Sequence, residues 1–252
     1  MGEILDLKDK ISKFYKPTKL ELRGFIISII AIAFAISFKD WGRETFNPGI
    51  GLFNFFNAIL IVALSFIVHD AGKRISGLYV GFRVEFKFWT LGSLFAVILA
   101  FVSNGSLWLI IPGSFMVHHL AGHRLGFFRY GINYFAIGMI ALMGAISSIM
   151  LIILLKILYV FAPSALIQKA IMFNVIFVIT NMLPIPAFDG GKIYFGSRML
   201  YAFVMPAIVA SMVMMMIDIP VVIALIISFL VGIALWITYY ISFENKVWAG
   251  PK

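Results

Sequence analysis

Two short runs hold the side chains best suited to chemistry. His69, Asp70, Lys73 and Arg74 stand at the end of one uncharged apolar run, and Asp189 stands at the end of a later one. Ionisable groups in or beside apolar spans are costly to keep, so they are functional candidates. On a helix His69 and Lys73 are i and i+4 and share a face. With an acid next to the histidine, this is the frame of HExxH, where two histidines grip zinc and the glutamate is the general base. Here Asp70 takes the glutamate position, one methylene shorter, and Lys73 takes the second histidine position. An ammonium does not ligate, and a cation a few ångströms from Zn²⁺ opposes its binding. A catalytic zinc takes three protein ligands plus water. The frame alone therefore leaves a zinc site short of a ligand. The chemistry that remains is a buried ion pair, with Lys73 expected to offset both Asp189 and Asp70 where zinc would sit.

His118, His119 and His123 form a second polar cluster. His119 and His123 repeat the i,i+4 spacing, with Leu120 where an acid would stand. They read as interfacial histidines beside Arg124 and Arg129; a second metal site that includes His69 is the alternative. Glu85 reads as a partner of Arg83 or Lys87. Ser147 and Ser148 are expected to bond to their own helix or a neighbour, and Asn174 to bridge spans. Met212, Met214, Met215 and Met216 read as core or lipid-facing filler. The chain has no cysteine, which excludes disulfides, thiolate metal sites and a cysteine nucleophile. There is no phosphate-cradling Gly-rich loop and no Ser-His-Asp set.

A bilayer-embedded scaffold must position these groups. Of the 252 residues, 62% are hydrophobic and 12% charged, and the mean hydropathy is +1.04. Soluble domains run near 45–50% and 25%. That excludes a water-soluble globular enzyme, a disordered chain, collagen and a coiled coil. The net charge of +9 lies between apolar runs, where it orients the chain in a membrane. Nucleic acid is not an expected partner; the bilayer is. Spans are expected at 24–38, 45–68, 131–155, 170–188, 199–217 and 219–242, each near the length that crosses hydrocarbon. Residues 1–23 read as a basic cytoplasmic tail, with Ile4, Leu5, Leu7, Ile11, Phe14 and Tyr15 forming the apolar side of a surface helix. Residues 243–252 form a second tail, and 24–242 one membrane domain.

The apolar stretch 88–117 decides the topology, because Asn104-Gly105 interrupts it. As a re-entrant hairpin it leaves sixteen Lys and Arg on the side of the N-terminal tail and three (Lys39, Arg43, Lys169) on the other. As a single crossing it leaves eleven and eight. The positive-inside rule favours the hairpin, with both termini cytoplasmic. The hairpin also puts His69 and Asp189 on one side. Residues from Phe82 alternate apolar and polar, as a strand does. The expected fold is an all-α polytopic membrane protein of about six transmembrane helices, a re-entrant hairpin and a short β element.

The run SFIVHDAGKRISGLYVGFRVEFKFW, followed by NMLPIPAFDGGKIYFG, resembles the site-2 protease family of intramembrane zinc metalloproteases, in its archaeal and bacterial members. The resemblance covers a core of about 55–200. In that family HExxH lies on one span and N-x-x-P…D-G at the end of a later one, which supplies an aspartate as third zinc ligand. Asn181, Pro184, Pro186, Asp189, Gly190 and Gly191 match the second motif, and the 85–89 strand and Pro112-Gly113 also fit. The resemblance implies His69 and Asp189 as metal ligands, Lys73 at the second histidine position and Asp70 at the general-base position. It implies substrate-positioning roles for Asn181, Pro184, Glu85 and Trp89. The family's Gly-Pro…Asn segment is replaced near 144–148, without its proline or asparagine.

These departures point to a catalytically impaired pseudoprotease of the cell membrane. It would bind or regulate transmembrane segments of other proteins, an extended substrate adding beside the hairpin and strand. Zinc, if any binds, is not expected at the degraded site. The alternatives are an active intramembrane metalloendopeptidase with an altered metal site, and an ion or proton transporter. No inverted repeat supports the transporter.

Overall fold

The computed structural model describes residues 2–42, 46–110, 113–120, 133–217 and 219–245. Its elements run α1 (Gly2–Phe14), α2 (Lys19–Ser37), α3 (Pro48–Val80), β1 (Phe82–Phe88), α4 (Thr90–Val102), β2 (Gly113–His119), α5 (Tyr134–Phe161), α6 (Ala165–Asn181), α7 (Asp189–Gly196), α8 (Arg198–Met215) and α9 (Val221–Tyr239). The chain is an all-α polytopic membrane protein, with one two-stranded sheet among the described residues. Among the described residues five helices are long and apolar enough to cross a membrane: those at Lys19–Asp40, Pro48–Val80, Tyr134–Phe161, Arg198–Met215 and Val221–Glu244. The sixth expected span is α6, which at 17 residues is shorter.

Local chemistry sets the ends of the helices. Thr18 and Glu21 close a capping box on α2. Asn47 caps α3, and Pro48 stands at its first turn, where a missing N–H costs nothing. The second span was expected to stop near 68. Instead α3 runs 33 residues to Val80 and ends on Gly81 at φ 94°. His69, Asp70, Lys73 and Arg74 therefore lie inside a helix rather than at its end.

β1 begins at Phe82, where the alternation starts. It pairs antiparallel with β2, Phe82 opposite His119 and Phe88 opposite Gly113. The chain thus leaves the sheet at Phe88 and returns to it at Gly113. Between them α4 ends in a turn where Asn104 and Gly105 take φ of 50° and 69°. This is the re-entrant geometry, not a crossing.

Two cores hold the bundle. One gathers Val84, Phe115, Ile140, Ala145, Val178 and Met212 from the sheet, α5, α6 and α8. The other gathers Ile32, Val62, Phe66, Phe173 and Phe177 from α2, α3 and α6, with Ile110 from the segment between α4 and β2. Many large apolar residues of α9 and α4 face outward, as lipid-facing helices do. Met212 and Met215 are core, while Met216 is exposed. Lys156 is accommodated within α5 by donating to the carbonyls of Met215 (3.0 Å) and Ile217 (3.3 Å), which end α8.

Candidate functional site

The site forms where α3, α5 and α7 meet. His69 and Lys73 point from one face of α3 towards α5. Gly144 of α5 allows the approach: a Cβ there would come within 2.5 Å of Lys73 Cε and 3.0 Å of His69 Cε1. Asp189, the first residue of α7, completes the group from 120 residues away in the chain. All three are buried.

Each polar atom of this group is bonded. His69 Nε2 is 2.8 Å from Asp189 Oδ2, and its Nδ1 is 2.9 Å from Ser148 Oγ. With its hydrogen on Nε2, the ring donates to the carboxylate and accepts from the Ser148 hydroxyl. Lys73 Nζ lies 2.8 Å from both Asp189 oxygens. Burial by itself would raise the Asp189 carboxyl, but the Lys73 ammonium and the hydrogen bond from His69 outweigh it and hold the group well below the usual carboxylate range. The expectation that Lys73 and Asp189 meet is met by this geometry.

The expectation for Asp70 is not. Asp70 turns to Arg74, one helical turn on, rather than to Lys73. Arg74 also donates to Glu21 of α2 (2.9 Å) and to the Tyr15 carbonyl (3.4 Å). Glu21 accepts in addition from the backbone N–H groups of Phe86 (2.9 Å) and Thr18 (2.6 Å). The position of the general base is thus tied into a second network that fastens the tail, α2 and β1 to α3. One ammonium faces one carboxylate at the site, and not two.

The remaining candidates divide. Asn181 is buried, bonds back to the Phe177 carbonyl (2.9 Å) and lines a cleft with His69, Asp70, Lys73, Ser114 and Phe115. Pro184 sits exposed in the turn before α7. Trp89 is half-buried, its ring edge-on to Phe188 at 6.3 Å. Glu85 pairs with Arg83 (3.3 Å) and His118 (3.2 Å). Strand alternation sets it on the face away from Val84 and Phe86, so it does not join the cleft.

His118 and His119 are adjacent in β2, so they leave on opposite faces, and the helical i,i+4 reading fails at His119. His119 packs its ring 4.8 Å from Phe82. His123, Pro112, Arg124 and Arg129 lie outside the described residues. Asn174 bonds to Ala170 of its own helix instead of bridging spans, and Ser147 likewise bonds to Gly144. Ser148 bonds to a neighbour, His69 of α3, as one of the two outcomes expected for it, and sequence reasoning missed two partners, Lys192 and Glu21. Lys192 of α7 donates to Ser114 Oγ (2.6 Å); burial drives it down to about 8, against the pull of Asp189 and helped by the charge of Lys73.

The residues do not fit a catalytic zinc. Among the described residues no group of three His, Cys, Asp or Glu could hold a metal. Tetrahedral ligand atoms on bonds of about 2.0–2.1 Å stand about 3.3 Å apart. His69 and Asp189 instead share a hydrogen bond at 2.8 Å, with an ammonium on the same carboxylate.

No family model matches the chain, and no solved structure matches it. A curated protein of Methanocaldococcus jannaschii, named "Putative zinc metalloprotease MJ0611", is 26% identical over 209 residues, which is 80% of this chain and 97% of that protein. The fold defines the class as a multi-pass helical membrane protein, and this relative gives it a kinship with a protein named as a metalloprotease.

Proposed function

We propose that this chain is a site-2-protease-like membrane protein in which the buried Lys73–Asp189–His69 contact has taken over the place of the catalytic zinc, and that it binds or regulates transmembrane segments of other membrane proteins. The observation that carries this reading is the ammonium of Lys73 seated on both oxygens of Asp189. The match of the Asn181–Gly191 motif and the metalloprotease relative support the family. Breaking a buried pair by removing one partner leaves an uncompensated charge, so the pair can hold α3 to α7 without metal.

In this reading the narrow cleft between α3, β2 and α6, of about 20 Å³, would have to widen to receive the substrate. The chain would run beside the sheet in extended form, contributing main-chain hydrogen bonds. Asn181 would contact it from the end of α6. Asp70 would not act as base, because Arg74 engages it. The positive-inside rule puts the cleft at the cytoplasmic side of the cell membrane, since Lys39, Lys156 and Lys169 alone among the described cations lie towards the opposite ends of the helices.

The test is the purified full-length protein in detergent. Metal analysis should find well below one zinc per chain, and a generic transmembrane substrate should be photo-crosslinked to the cleft without chelator-sensitive cleavage. Stoichiometric zinc with chelator-sensitive cleavage would overturn the reading in favour of the active metalloendopeptidase. Charge movement in liposomes, without capture of the segment, would favour the transporter.

A further inference from the structure

Ser114 lines the same cleft and is bonded by Lys192, and neither takes part in the Lys73–Asp189–His69 contact. Ser114 is the second residue of β2 and lines the cleft beside Lys73 and Asn181. Lys192 reaches it from α7, its Nζ 2.6 Å from Ser114 Oγ and 4.0 Å from the centre of the Phe115 ring. The two residues are 78 apart in the chain. A cleft-lining hydroxyl with a half-buried amine at hydrogen-bond distance has the geometry of a nucleophile with its base.

We propose that Ser114 and Lys192 form a serine–lysine nucleophile pair that acts on a peptide carbonyl held in the cleft, without metal. The pair shares the cleft of the proposed function but does not depend on how that cleft recognises transmembrane segments. In the first step Ser114 Oγ bonds to the carbonyl carbon, the C=O π pair moves onto oxygen until the next step returns it, and the hydroxyl proton passes to the lone pair of Lys192 Nζ. The C–N bond then breaks, and the departing amine takes that proton from Lys192. Water attacks the acyl-serine ester, again giving a proton to Lys192. The ester C–O bond breaks, and Ser114 recovers its proton. Water is the only co-reactant.

The base must be uncharged to start the cycle. The groups facing Lys192 are the Asp189 carboxylate on its own helix, the Lys73 ammonium from α3, and Ser114 and Phe115 from β2. Asp189 favours the ammonium; burial and Lys73 oppose it, which brings Lys192 to about 8. When the ammonium is present it donates to Ser114. Once it loses its proton the same contact reverses, and the Ser114 hydroxyl donates to nitrogen.

An activated ester, p-nitrophenyl butyrate, tests the pair in the full-length protein in detergent. The expected result is one butyryl group on Ser114, located by peptide mass mapping. Its formation should rise about tenfold from pH 7 to pH 9 as Lys192 loses its proton, and it should be insensitive to a zinc chelator. Ser114→Ala should abolish the adduct. Lys192→Met should slow it about a hundredfold, within the usual range for loss of a general base. Lys192→Arg keeps a cation beside Ser114 to preserve the fold, and should be equally slow because it does not titrate. The proposal is overturned by an adduct on Lys192 or elsewhere, by an adduct that persists in Ser114→Ala, by an unchanged rate in both Lys192 variants, or by neither adduct nor Ser114-dependent p-nitrophenolate release on thermally stable wild-type protein. Acylation without capture of a transmembrane segment would keep this pair and sink the proposed function; capture without acylation would do the reverse.

Discussion

Two adjacent faces of α3 carry two ion networks built on the same four-residue spacing, and they do different work. One face presents His69 and Lys73 to Asp189 across 120 and 116 residues of chain. The other presents Asp70 and Arg74 to Glu21, with the Tyr15 carbonyl and the Phe86 amide drawn in. The first holds the cleft floor, and its single carboxylate is shared by a ring and an ammonium. The second clamps the tail, α2 and the sheet to the same helix. A helix turns about 100° per residue, so neighbours such as His69 and Asp70 serve different partners. Adjacent positions in a motif can thus belong to separate structures.

Changing Lys73 should separate the two faces most sharply. Lys73→Ala leaves Asp189 buried without its cation and should cost about 3 kcal/mol or more, read from unfolding in detergent; stability equal to wild type would dissolve the ion-pair account of the site. Lys73→His supplies a third metal-ligating side chain beside His69 and Asp189. Zinc content should rise towards one per chain in that variant, as elemental analysis would register.

Arg74→Ala should cost about 3 kcal/mol, because it strips Asp70 and Glu21 together. It should also make residues 1–18 more sensitive to protease, while leaving zinc content and the Lys73–Asp189 contact unchanged. If it disturbs zinc content as much as Lys73→His does, the two faces are one network after all. Ser148→Ala removes the hydrogen bond at His69 Nδ1, and about 1 kcal/mol is expected for one buried bond. At the far end of the bundle Lys169 pairs with Asp40, partly exposed. Asp40→Ala should cost under about 1 kcal/mol, since solvent screens such pairs; a larger loss in thermal unfolding would place that end on a par with the cleft.

Much of the scaffold was legible because bilayer physics is coarse. Apolar length marked the spans, two-residue alternation marked β1 at Phe82, and the distribution of Lys and Arg singled out the hairpin that the Phe88–Gly113 pairing displays. The boundary of α3 was less legible. A run of HDAGKR looks like the end of an apolar span, yet helix propensity and burial against α5 carry the helix on to Gly81.

Within the candidate site, residue types and spacing determined that His69 and Lys73 share a face and that Asp189 is their counterpart. They equally allowed Asp70 to face Lys73 at i+3 or Arg74 at i+4. Only the tertiary structure decided between these. Glu21, 53 residues from Arg74 and itself accepting from the sheet amide of Phe86, accepts from that guanidinium, and Asp70 joins it. Packing likewise brought Ser148 to His69 and Lys192 to Ser114, contacts with no periodicity to announce them. Local spacing is written along one element. Which far element arrives opposite it depends on how all the helices pack, and that information is spread over the whole chain.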